Sequence, residues 1–142
     1  MTRTKECGFA GELTLVPEDL LAVRPQGDVL LFEFCQHEMS DPAGALDHAA
    51  GLAPDVLVID HAPDSPWVWY AAEERGVEAG WTAVSRSNVR RQLDVKAFQG
   101  FHDYTELETK LARQGPTSRE RIGSFRGQHA ISIPMPYRLA LL

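Results

Sequence analysis

The sequence predicts an α/β fold, and two segments carry that expectation: Val29-Leu-Leu-Phe-Glu-Phe34 and Asp55-Val-Leu-Val-Ile-Asp60. Each is a near-continuous apolar run of strand length, the pattern of parallel strands buried on both faces. The stretch between them reads as helix, and strand, helix, strand is the unit from which doubly wound sheets are built. Ligands of such sheets sit just beyond the carboxyl ends of the strands. Here those ends read Cys35-Gln-His-Glu38 and His61-Ala-Pro-Asp64.

The remaining elements follow in order. Residues 1 to 11 are polar and contain glycine, which suits a loose arm, and Leu13 to Val16 is a short strand candidate. Pro17-Glu18-Asp19 turns the chain into Leu20 to Val23, and Arg24-Pro-Gln-Gly27 is a turn signal before the first strong strand. Asp41-Pro42 fits a helix start, with Asp as N-cap and Pro at the first helical position. That helix is expected to run to about Gly51, with Ala45, Leu46, Ala49 and Leu52 on one face. Pro54 leads into the second strand, and Ser65-Pro66 repeats the helix-start signature. Trp67 to Val77 reads as helix, with Glu78 to Val84 as its continuation or as a second helix, Gly76 and Gly80 being the places for a break.

From Val89 to Phe98 the pattern changes to period two, with Leu93, Val95 and Ala97 on one side, which suits an antiparallel or edge strand. Tyr104 to Arg113 is amphipathic through Leu107 and Leu111, and Gln114-Gly115-Pro116 ends it. Thr117 to Phe125 reads as a short helix capped by Thr117 or Ser118. Ala130 to Ile133 and Tyr137 to Leu142 read as strand, and Pro134 and Pro136 place that region at an edge or a bulge.

A chain of 142 residues with 44% apolar and 24% charged residues suits one domain, 1–142, with a sizeable core. No apolar run approaches the roughly 20 residues of a membrane span, so no membrane anchor is expected. The net charge of −6 argues against nucleic acid as a partner. The short basic runs Arg86 to Arg91 and Arg119 to Arg126 read as solvated surface. Two cysteines, Cys7 and Cys35, make no disulfide framework, and without a signal peptide the cytoplasm is the expected location.

The stretch Gly27-Asp-Val-Leu-Leu-Phe-Glu-Phe-Cys-Gln-His-Glu-Met-Ser-Asp-Pro42 resembles the fourth strand and following loop of class I S-adenosylmethionine-dependent methyltransferases. Many small-molecule members read there as an Asp, an apolar strand, a Leu-His-His-like turn and Asp-Pro. Glu12-Leu-Thr-Leu-Val-Pro-Glu-Asp19 looks like the third strand with its acidic end. Segments 55–60, 66–84, 89–98 and 130–142 then fall in order as strand five, its helix, strand six and strand seven. The resemblance covers residues 12 to 142 and matches the carboxyl-terminal two thirds of such an enzyme. It implies a partial Rossmann-like sheet with parallel core strands, an antiparallel final strand and helices on both faces. The family's glycine-rich turn after strand one is absent, since Gly8-Phe-Ala-Gly11 has neither the spacing nor a preceding strand. The acidic residue after strand two is absent as well.

The resemblance implies methyl transfer to a small-molecule acceptor, with S-adenosylmethionine as cofactor. Such transfer depends on alignment of nucleophile, methyl and sulfur, with a base useful when the acceptor must lose a proton. By the same likeness, Glu18 and Asp19 sit near the adenine, Phe34 and Cys35 line the methionine end, and His37 and Glu38 face the acceptor as the catalytic pair. His61, Trp67 and Tyr70 are the candidate acceptor-binding residues.

Each assignment has a plainer counterpart. Glu18-Asp19 also suits a helix start, where carboxylates favour the positive dipole end. His37 also suits a hydrogen-bonded structural histidine, and Trp67 with Tyr70 at i and i+3 also suits core packing. Glu33 between Phe32 and Phe34 must be paired or lie near a strand edge. His37, Glu38, Cys35, His61 and Asp64 share a rim, but no two show a recognised zinc spacing, so no metal is expected. Pro54 to Pro63 also has the look of a phospho-accepting receiver strand, but that fold needs an acidic pair and a lysine at strand ends that are not in place here.

In the family the seven strands run 3-2-1-4-5-7-6. Without strands one and two, the edge of Val29 to Phe34 lies open, and an open edge invites pairing. Leu13 to Val16, a second copy in a homodimer, or a separately encoded amino-terminal half would cover it. The chain alone is expected to bind S-adenosylmethionine poorly, which leaves two expectations: a truncated or partner-dependent methyltransferase, or a non-catalytic remnant acting as a binding or regulatory subunit.

Overall fold

The computed structural model describes residues 20–22, 24 and 27–142. The candidate strand at Leu13 to Val16, the arm at residues 1 to 11, and Glu18 and Asp19 lie outside them. Two of the first strands form as the apolar runs require: β1 (Val29–Glu33) and β2 (Asp55–His61) pair in parallel, with Val29 opposite Asp55 and Glu33 opposite Ile59. The helix between them, α1 (Pro42–Ala50), starts where the sequence places it. The Asp41 side chain accepts the Gly44 N–H at 2.9 Å, a cap of the kind that contributes about 1 kcal/mol. Ala45, Leu46 and Ala49 are buried on its inner face.

The sheet is mixed, with order β1-β2-β6-β3. The chain's last strand, β6 (Tyr137–Leu141), runs antiparallel between β2 and the edge strand β3 (Arg91–Val95). Bidentate contact between Arg138 and Asp94 ties the β6–β3 pair on its surface, at 2.6 and 3.2 Å.

Burial departs from the expectation of strands covered on both faces. Phe32, Val56, Val58 and Ala140 face α1 and α3 (Glu74–Ser85) and form one core with Leu46, Val77, Trp81 and Val84. The alternate residues Val29, Leu31 and Leu93 are 55%, 49% and 60% exposed. Among the described residues α1 and α3 therefore pack on one face of the sheet, and the other face carries apolar side chains without a helix of its own. Glu33, which had to be paired or marginal, is exposed on β1, an edge strand of the sheet among the described residues.

The helical stretch after β2 breaks, but not at a glycine. α2 (Pro66–Ala71) ends on Ala72, which is left-handed at φ 59°. The Ala72 N–H bonds to Trp69 O and the Glu73 N–H to Val68 O, the Schellman pairing that closes a helix end. Gly76 and Gly80 lie inside α3 and serve a close approach. A Cβ on Gly76 would come within 2.1 Å of the His37 carbonyl oxygen.

The carboxyl-terminal strands also correct the expectation. Residues 130–142 are not one strand of the main sheet, because β5 (His129–Pro134) pairs with β4 (Phe98–Asp103) in a separate two-stranded sheet. The period-two run from Val89 to Phe98 divides likewise at Lys96-Ala97. A bond from the Met135 N–H to Ala97 O, at 2.8 Å, closes the neck where the chain leaves the main sheet and returns. Within the excursion, α4 (Tyr104–Leu111) and α5 (Pro116–Arg121) cover the hairpin. Leu107, Leu111, Ile122, Ile131, Ile133 and Phe101 make a second core, to which α2 contributes Trp67 and Ala71. Among the described residues no helix is long and apolar enough to cross a membrane.

Candidate functional site

Because β1 and β2 are parallel, their carboxyl ends lie together, and the polar residues that follow them meet there. β1 is followed by Phe34, whose φ of 47° is uncommon for a bulky residue and re-aims the chain. The Phe34 N–H still donates to Ile59 O at 2.7 Å, so the ladder holds one residue past the strand. A 3-10 turn, Gln36–Glu38, then lies against α3, with Gln36 buried at Gly80 and the His37 backbone at Gly76.

Asp60, the buried last-but-one residue of β2, organises this turn. Its Oδ2 accepts the His37 backbone N–H at 3.0 Å, and its Oδ1 lies 2.7 Å from His37 Nδ1. Oδ1 also accepts the His61 N–H at 2.8 Å. A carboxylate held by three donors is satisfied despite its burial, and it fixes the His37 ring with Nε2 pointing away. His61 is fixed differently. Its carbonyl accepts the Trp81 indole N–H at 2.7 Å, and its ring packs 5.0 Å from Phe34 and 5.2 Å from the His37 ring.

Glu73 closes the group from the α2–α3 junction. Its Oε2 lies 3.7 Å from His37 Nε2 and 3.9 Å from His61 Nε2, beyond hydrogen-bond reach of either. Among the described residues that oxygen is buried with no hydrogen-bond partner, as is His61 Nδ1, while the other Glu73 oxygen accepts from Gln114 at 2.7 Å. One ligand-type atom each of His37, Asp60 and His61 lies within 4.8 Å of the others.

The two histidines are driven apart electrostatically. Burial works against a charge on His37, but the hydrogen bond and charge of Asp60, with Glu73 and Glu38, outweigh it and hold the ring above its ordinary value. His61 is pushed down to about 4, by burial above all, so its ring is neutral at pH 7. Burial also raises Glu73, against the opposing pull of His37, and raises the Cys35 thiol. Cys35 is a half-buried free thiol.

Of the residues singled out in the sequence, Phe34, Cys35, His37 and His61 come together here, with Glu38 exposed on the same turn. Trp67 and Tyr70 do not. Trp67 stacks on Phe101 at 5.8 Å inside the second core, and Tyr70 packs on Phe125 at 5.2 Å. Two residues that organise the cluster escaped sequence reading. Asp60 carried a signal, a carboxylate closing an apolar strand directly before a histidine. Glu73 carried none, because its placement depends on the left-handed turn at Ala72.

No family model matches the chain, and no curated protein matches it. Among solved structures, the chain is similar in fold to a putative methyltransferase from Bacillus halodurans C-125, with a TM-score of 0.57 and 10% identity over 87% of this chain and 68% of that one. At that identity the likeness is one of fold.

Proposed function

We propose that this chain is an S-adenosylmethionine-dependent methyltransferase-like protein whose main sheet corresponds to strands four to seven of that family, acting on a small-molecule acceptor and dependent on a partner for cofactor binding. The observation that carries the reading is the sheet order. β1-β2-β6-β3, with the last strand antiparallel between the two before it, matches the 4-5-7-6 order of the family. The fold likeness to the Bacillus halodurans protein agrees with it.

On this reading Phe34 and Cys35 line the methionine end of the cofactor, and His37 and Glu38 face the acceptor. His37, anchored by Asp60 and holding a proton more readily than His61, has the character of a proton-accepting group. His61 borders the acceptor from β2. Among the described residues β1 is an edge strand and the sheet face at Leu31 and Leu93 is exposed, which suits a covering amino-terminal half.

Calorimetric titration with S-adenosylmethionine tests this, first on the chain alone and then on the chain co-purified with the product of the neighbouring gene. The chain alone should bind more weakly than micromolar, and the complex should bind at micromolar or better and transfer methyl groups. Micromolar binding by the chain alone would remove the need for a partner. No binding in either form rejects methyl transfer and leaves a non-catalytic subunit.

A further inference from the structure

We infer that His37, His61 and Glu73 form a binding site for a divalent transition-metal ion, with Asp60 orienting His37 from behind. The three donors come from three elements: the turn after β1, the end of β2 and the junction of α2 with α3. Glu73 Oε2 sits between the two Nε2 atoms at 3.7 and 3.9 Å. Ligands on a tetrahedral ion with bonds of about 2.0–2.1 Å stand about 3.3–3.4 Å apart. Each Glu73 Oε2–Nε2 distance exceeds that by a few tenths of an ångström.

Two further features mark the cluster as a metal site over a plain hydrogen-bonded group. Glu73 Oε2 is buried, and among the described residues no donor reaches it. An orphaned carboxylate oxygen is costly unless something satisfies it, and a cation between the histidines does so. His37 also has the usual arrangement of a metal-binding histidine. Its Nδ1 meets the Asp60 carboxylate at 2.7 Å, which fixes the tautomer and leaves the Nε2 lone pair for the ion. Asp60 itself is occupied by three donors, so it acts as a positioning residue.

Two imidazoles and a carboxylate favour zinc, iron or cobalt over magnesium or calcium. Three protein ligands leave a position open for water or for an acceptor oxygen. The site does not rest on the methyltransferase reading. Where both hold, His37 acts by holding the ion, and the ion receives the acceptor.

The test is titration of the metal-free chain with zinc chloride, without S-adenosylmethionine, so that failure here is separate from failure of methyl transfer. One equivalent should bind at micromolar affinity or tighter, and magnesium chloride should not compete. His61→Ala and Glu73→Gln should each weaken zinc at least ~10-fold, and Asp60→Asn by ~10–100-fold. Glu78→Gln, on the exposed face of α3, should leave affinity unchanged. Circular dichroism checks that each variant is folded. X-ray absorption of the zinc-loaded wild type decides independently of any variant: two imidazole ligands are expected, and Asp60→Asn should retain both. Fewer than two imidazoles, or zinc affinity unchanged in folded His61→Ala and Glu73→Gln, overturns the site.

Discussion

Gly76 is the residue through which α3 comes close enough to support the turn that carries His37. A Cβ at this position would lie 2.1 Å from the His37 carbonyl oxygen, and the obstacle is backbone, which cannot swing aside. Gly80, one turn on, meets the Gln36 side chain at 3.6 Å and its backbone carbonyl carbon at 3.8 Å, both ordinary contacts. The two glycines therefore predict opposite outcomes. Gly76→Ala should destabilise the chain by about 1–3 kcal/mol through overpacking. Gly80→Ala should stabilise it by about 0.5–1 kcal/mol, because alanine is the better helix former. Urea denaturation of both variants measures this, and equal effects would show that the close approach is not set by Gly76. In the sequence both glycines read as places for a helix break, not as points of close approach. Periodicity along one strand of chain cannot tell them apart, because what crosses a helix is decided by another segment. The same limit hid Glu73, while His37 and His61 were legible because strand ends in parallel sheets collect functional groups.

At the level of elements, the turn between α2 and α3 decides where Glu73 points. Ala72 adopts φ 59° and ψ 38°, the conformation that glycine supplies without strain. An alanine there costs about 1 kcal/mol relative to glycine. Ala72→Gly should raise stability by about 0.5–1 kcal/mol, read as an upward shift of the thermal midpoint of a few degrees. It should leave the α2–α3 angle unchanged, since both Schellman bonds involve backbone atoms alone. A fall in midpoint would mean that the Ala72 methyl group contributes packing worth more than the strain. Capping signals elsewhere were readable. Asp41-Pro42 gave α1 its start to the residue, and Leu107 with Leu111 gave α4 its buried stripe. The break at Ala72 was not readable, because no residue type at that position announces a left-handed turn.

On the scale of the whole molecule, the described residues are built around two cores joined through α2. Val68 on this helix enters the core beneath the main sheet, and Trp67 and Ala71 enter the core of the β4–β5 excursion. Ser118 on α5 donates to Tyr70 O at 2.6 Å, and Arg121 reaches both Trp69 O and Glu74, so the excursion is tied to the same helix from outside. Of the excursion's two strands the sequence pattern shows β5, at Ala130 to Ile133, and misses β4, and the likeness puts 130–142 in one sheet. Pairing partners are set by where the chain leaves and re-enters, here the Ala97–Met135 neck, and local pattern is silent on that. The two-core arrangement makes a regional prediction. Leu107 is fully buried at the centre of the second core, and Leu107→Ala should cost about 2–5 kcal/mol. If the cores are separate cooperative units, hydrogen exchange in this variant should quicken across 98–133 and in α2, while β1, β2 and β6 keep their protection. Uniform loss of protection would show instead that α2 couples the cores into one unit. In that case the His37–Asp60–His61 cluster would lose its order whenever the second core opens, because Glu73 directly follows the α2 cap and accepts from Gln114 of the excursion.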